Sequence, residues 1–182
     1  WTVRVCDPWV ASQDPDATGI LEAGAKMPDF CTLDELLDCT VVSLHCSLHR
    51  QAPWPSHHLL DDNALRRLKD RQWLINAARG AVVDNAALLT HLSRPQPVNC
   101  VLDVWEGEPA FNVALLDQPA LALATPHIAG YSWDAKWQAT RMLYAAMQRQ
   151  GLLSKPLDSN DLAPPALRPA NGVGTDALRG LM

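Results

Sequence analysis

Apolar positions along this chain fall in short, nearly unbroken runs, separated by polar stretches in which apolar residues recur with helical spacing. Val3 and Val5 alternate with polar neighbours until Asp7-Pro8 breaks the pattern, which predicts a strand closed by a turn. Four further strands are predicted over Thr40–Leu44, QWLINAA (72–78), VNCVLDVW (98–105) and ALALATPHIAG (120–130), the last ending at Pro126. Helices are predicted between them. Thr32 followed by Glu35 forms a capping box for a short helix from about Thr32 to Leu37. Asp62 to Leu68 reads as a second, and Asp84 is placed to cap a third. A long helix from Ser132 to about Gln150 carries Trp133, Trp137, Met142 and Tyr144. Strands that alternate with helices, each strand continuously apolar, predict an α/β fold with a doubly wound parallel sheet covered on both faces.

Composition narrows the class. With 182 residues, 48% hydrophobic and 19% charged, the chain can bury a core. A formal net charge of -5 argues against nucleic acid or an anionic membrane as partner. No apolar run approaches the roughly 18 residues of a membrane span, and the first residues do not read as a signal peptide. Five scattered cysteines predict a reducing, cytoplasmic setting without a disulfide framework. The chain opens on Trp1, inside a strand-like run, as expected of a fragment. From about Lys155 it is rich in Pro, Gly, Asn and Asp without sustained periodicity, as in a tail or the start of a further domain.

In open α/β sheets ligands bind at the carboxyl ends of the strands. Asp7, His45, Arg79, Asp103 and His127 all fall just where an apolar run stops. Asp7 suits the ribose hydroxyls of a dinucleotide, or is a turn aspartate ahead of proline. The glycine-rich phosphate loop should precede such an acid by about 20 residues, and only six residues stand before Asp7. The string Gly172-Val173-Gly174-Thr175-Asp176-Ala177 follows a proline-rich coil, not a strand, and is not assigned to phosphate. Arg79 offers a planar fork for a carboxylate, or is a rim charge. His127 with Glu108 or Asp103 suits general acid–base chemistry; the plainer alternatives are a loop histidine, an exposed loop charge and a helix cap. His45, Cys46, His49, His57 and His58 raise the question of zinc. One thiol without a second pair does not match structural zinc spacings, so no metal is expected. No G-x-S-x-G nucleophile elbow is present.

The blocks NAARGAVVD, LDVWEGEP and PHIAG, in this order and each after a predicted strand, resemble the signatures of the D-2-hydroxyacid dehydrogenases over about residues 1 to 150. The resemblance implies a partial Rossmann-type dinucleotide-binding domain with NAD as cofactor. It implies that Arg79 holds a substrate carboxylate and that His127 takes the hydroxyl proton, with Glu108 orienting and charge-stabilising it. Asp7 would bind the adenosine ribose, Asp103 the nicotinamide amide, and Gly130 would back the cofactor. Tyr131 would touch substrate. Cys46 stands where the family usually has a hydroxyl that contacts the cofactor. The longer strings VVDNAALL, LDVWEGEPAFNVALL and HIAGYSWDAK resemble a narrower branch of the family, which implies a phosphorylated 2-hydroxy acid as substrate. Another D-2-hydroxy acid, or a non-catalytic binding module of the same fold, are the alternatives. The implied organisation is a partial NAD-binding domain over 1–131 that begins at its second strand, a helix over 132–151 leading out of it, and a tail or truncated domain over 152–182. A homodimer is implied for the full-length protein, and little activity for this chain alone.

Overall fold

The computed structural model describes residues 2–12 and 28–153. The Gly172–Ala177 string and the proline-rich stretch from Lys155 lie outside the described residues. The chain divides into two compact units, Trp1–Ala124 and Thr125–Met182.

The first unit is built on parallel strands. Strand β1 (Arg4–Val5) pairs with β2 (Asp29–Phe30) in a small sheet. Strands β3 (Val41–Leu44), β4 (Trp73–Asn76), β5 (Asn99–Leu102) and β6 (Leu121–Ala124) form a second sheet in chain order, all parallel. Val41, Trp73 and Asn99 lie side by side at one end, and Leu44, Asn76 and Leu102 at the other. This in-register stacking places the carboxyl ends of β3, β4 and β5 along one edge. Residues that follow those strands therefore emerge together.

Helices α1 (Pro8–Ala11), α2 (Leu33–Leu36), α3 (Asp62–Arg67) and α4 (Asn85–Leu92) connect the strands. Their starts follow from local chemistry. Thr32 and Glu35 form the reciprocal capping box, and Asp84 Oδ1 accepts from the backbone N–H groups of Ala86 and Ala87. Asp7-Pro8 does more than break β1. Asp7 Oδ1 accepts from Val10 N at 3.0 Å and Pro8 opens α1, where its missing N–H costs nothing.

Burial differs from expectation. The strands alternate rather than being covered on both faces: Val42, Leu44, Leu74, Cys100 and Leu102 are buried, whereas Val41, Trp73 and Leu123 are exposed. Helices α3 and α4 pack against each other. Leu60, Leu65, Leu88, Val82, Val83 and Leu115 complete the core. Burial pushes the Cys100 thiol up to about 12, which makes it an inert core filler.

The described part of the second unit is a loop and one helix, α5 (Trp133–Arg149). Ser132 Oγ accepts from Ala135 N at 3.0 Å and caps it. Met142 and Leu143 on α5 are exposed. Among the described residues no helix is long and apolar enough to cross a membrane.

Candidate active site

Arg79 leaves the sheet edge three residues after β4, on backbone that is tightly fixed. Asn76, 1% exposed, spans the turn: its Nδ2 donates to Arg79 O at 3.0 Å and its Oδ1 accepts from Ala78 N at 3.1 Å. The Arg79 side chain is exposed, and Nη1 donates to Ala78 O at 2.6 Å. Gly80, next to it, has no room for a side chain. A Cβ there would lie 2.0 Å from the carbonyl carbon of Trp105 and 2.4 Å from Glu106 N. Glycine at 80 lets two backbones touch, which couples the Arg79 turn to the segment after β5.

That segment carries three acids. Asp103 is 4% exposed and its N–H donates to Asn76 O at 2.9 Å. Trp105 is buried and stacks on Phe111 with ring centres 4.5 Å apart. Glu106 is fastened to the start of α4: Oε2 accepts from Asn85 N at 3.1 Å, and Glu106 N donates to Asn85 Oδ1 at 3.2 Å. Glu108 follows in an exposed turn ahead of Pro109.

A cavity of about 1040 Å³ opens beside the ends of β1 and β3, and both Asp7 and Cys46 line it. Trp9, Phe30, Leu33 and Trp54 supply apolar wall. One Asp7 oxygen is engaged by Val10 N. Burial pushes the Cys46 thiol up, so it stays protonated and can act as a weak donor. An apolar chamber with a carboxylate at its rim fits the adenosine half of a dinucleotide. His45 also borders it, with Nε2 and Ser43 Oγ 2.8 Å apart.

In the second unit, His127 has φ 55, a left-handed conformation uncommon for a side-chain-bearing residue. Tyr131 N donates to Ile128 O at 2.8 Å, closing the turn that leads to Ser132. Tyr131 is 70% exposed with Lys136 Nζ 4.1 Å from its ring centre. Among the described residues, apart from Gly130 itself and its two chain neighbours, nothing lies within 4 Å of a Cβ built on Gly130.

Residues 7–129 match the model of the D-isomer specific 2-hydroxyacid dehydrogenase NAD-binding domain. The chain belongs to this family. It carries the NAD-binding domain, and NAD is its cofactor. Among curated relatives, the erythronate-4-phosphate dehydrogenase of Pseudomonas syringae is 46% identical over 167 residues, covering 90% of this chain and 40% of that protein. The Salmonella arizonae enzyme of the same name is 49% identical over 119 residues, 65% of this chain and 31% of the relative. The chain thus spans well under half the length of these relatives. The Aquifex aeolicus D-lactate dehydrogenase, solved with NAD and lactic acid, superposes with a TM-score of 0.56 at 26% identity, over 83% of this chain and 47% of that one. A Staphylococcus aureus NAD-dependent formate dehydrogenase solved with NAD shares the fold at a TM-score of 0.58 and 24% identity, over 87% of this chain and 43% of that one.

Within the first unit, the expected residues occupy two places. Asp7 and Cys46 share the cavity; Arg79, Asp103 and Glu108 follow β4 and β5. His127, Gly130 and Tyr131 belong to the second unit. Asn76 and Glu106, which the sequence reading did not assign, shape the strand edge. A polar residue inside an otherwise apolar strand signals Asn76. Glu106 carries no such mark, because its partner Asn85 lies 21 residues away.

Proposed function

We propose that this chain is part of an enzyme that oxidises 4-phospho-D-erythronate at C2 to the 2-oxo acid, within the biosynthesis of pyridoxal phosphate. The single observation that carries the reading is the family match over 7–129, joined to relatives that bear the erythronate-4-phosphate dehydrogenase name at 46–50% identity. Bound NAD would supply the acceptor for the C2 hydride. Asp7 and the protonated Cys46 thiol hold its adenosine side in the cavity, and Asp103 its nicotinamide amide, with Gly130 leaving room for it. Arg79 grips the substrate carboxylate bidentately, which fixes the face of C2 that is presented. His127 takes the C2 hydroxyl proton, Glu108 is the carboxylate assigned to support it, and Tyr131 touches substrate.

Residues 1–131 then form the cofactor domain from its second strand, 132–151 the helix leading out, and 152–182 a tail or the start of a further domain. The whole enzyme is a cytoplasmic homodimer. A second reading, another D-2-hydroxy acid as substrate, draws on the fold shared with the lactate enzyme; mass spectrometry of the product separates the two. In the full-length enzyme, His127→Gln should lower kcat by about 10²–10⁴-fold while NADH still binds. Wild-type turnover in that variant would remove His127 from the reaction.

A further inference from the structure

Beside the Arg79 turn, three side chains outside the proposed reaction converge. His57, His58 and Glu106 each offer one ligand atom, and these atoms all lie within 4.8 Å of one another. Adjacent residues usually point apart, but His58 is left-handed (φ 52) and its ring stacks on His57 with centres 4.0 Å apart. The backbone is anchored on both sides: His57 N donates to His49 O at 3.0 Å and His58 N to Ala81 O at 2.8 Å.

We propose that His57, His58 and Glu106 form a binding site for a divalent transition metal of the zinc type. Two imidazoles and one carboxylate are a known zinc donor set that leaves a fourth position for water. The thiol spacing that argues against zinc in the sequence is irrelevant to a trio that uses no cysteine. The outer partners are of the kind metal sites need. Asn85 N fixes the distal oxygen of Glu106 at 3.1 Å, and Asp84 Oδ2 lies 3.8 Å from His58 Nδ1. His58 Nε2 now lies 2.6 Å from Glu106 Oε1. The ion takes the place of the proton between them, and the ring keeps its proton on Nδ1, facing Asp84. One carboxylate in the trio and a second beside it offset the double charge. Arg50 Nη2 donates to His57 Nε2 at 2.6 Å, so Arg50 competes with the metal for that lone pair. The bound ion ties the 49–58 loop to the 105–106 segment and stands apart from the hydride-transfer reading.

The test is titration of the full chain, reduced and freed of metal, with zinc by calorimetry and with cobalt by absorption. One ion per chain is expected, with visible cobalt bands and no intense thiolate charge-transfer band. His57→Ala and Glu106→Gln should each weaken zinc by about tenfold or more, and Asp84→Asn by about 10–100-fold. Arg50→Ala, at an exposed side chain, should bind more tightly, a gain that damage to the fold cannot imitate. Absence of cobalt bands, thiolate bands, or unchanged affinity in both His57→Ala and Arg50→Ala would overturn the site and leave a hydrogen-bonded charge cluster.

Discussion

Arg79 and His127 each stand just beyond an apolar strand, yet the chain fixes them by opposite means. The Arg79 backbone sits between buried Ala78 and buried Gly80, and buried Asn76 brackets it. Its exposed guanidinium is thus mounted on core structure. His127 lies among exposed residues, with Ile128 48% and Tyr131 70% exposed, and its left-handed backbone is set within a short turn. A substrate clamp gains from a rigid mount, because a fork matches a carboxylate over a narrow range of angles. The difference makes the two regions respond differently to substitution: damage near Arg79 should unfold the unit, and damage near His127 should stay local.

The largest expected effect is at Gly80. A methyl group there meets Trp105 backbone at 2.0 Å, and no side-chain rotation relieves it. Gly80→Ala should cost about 3 kcal/mol or more, read as a lowered urea midpoint. Gly130→Ala supplies the contrast, since the space around it is open. Its stability should stay within about 0.5 kcal/mol of wild type, while NAD binding in the full-length enzyme weakens if Gly130 backs the cofactor. Equal losses in the two variants would erase the distinction between the regions.

Asn76 comes next. Asn76→Ala removes one donor and one acceptor from a buried turn, leaving Ala78 N–H and Arg79 O without the side chain they share. The expected cost is about 2 kcal/mol, again by urea unfolding. In the full-length enzyme KM for the substrate should rise because the Arg79 mount loosens. An unchanged KM with the same stability loss would mean that the bracket serves folding alone.

What the sequence disclosed and what it hid follow physical lines. Apolar runs located β3 to β6, because a strand core needs contiguous apolar residues, and caps at Thr32 and Asp84 could be read because their chemistry is local. The two-residue strand β2 was missed, as Asp29–Phe30 is too short to show a period. So was α1, where Asp7-Pro8 reads equally well as a turn. The reason for Gly80 was hidden as well, since it depends on Trp105, 25 positions away. The cavity beside β1 and β3 was legible only at its polar points, Asp7 and Cys46; the walls from Trp9, Phe30 and Trp54 arise from how separated segments fold together.

The smallest effect belongs to Ser132, and it tests the local side of the comparison. Its hydroxyl satisfies Ala135 N–H, one of the four amides that a helix start leaves without partners. Ser132→Ala should cost about 1 kcal/mol of helix stability. Hydrogen exchange at the first turn of α5 should quicken, while the amides of β3, β4 and β5 keep their protection. A cap only a few residues from His127 can in this way loosen the turn that carries it and leave the Arg79 mount untouched. Faster exchange spreading into β4 would show instead that the two regions unfold together, and that His127 too takes its position from the core.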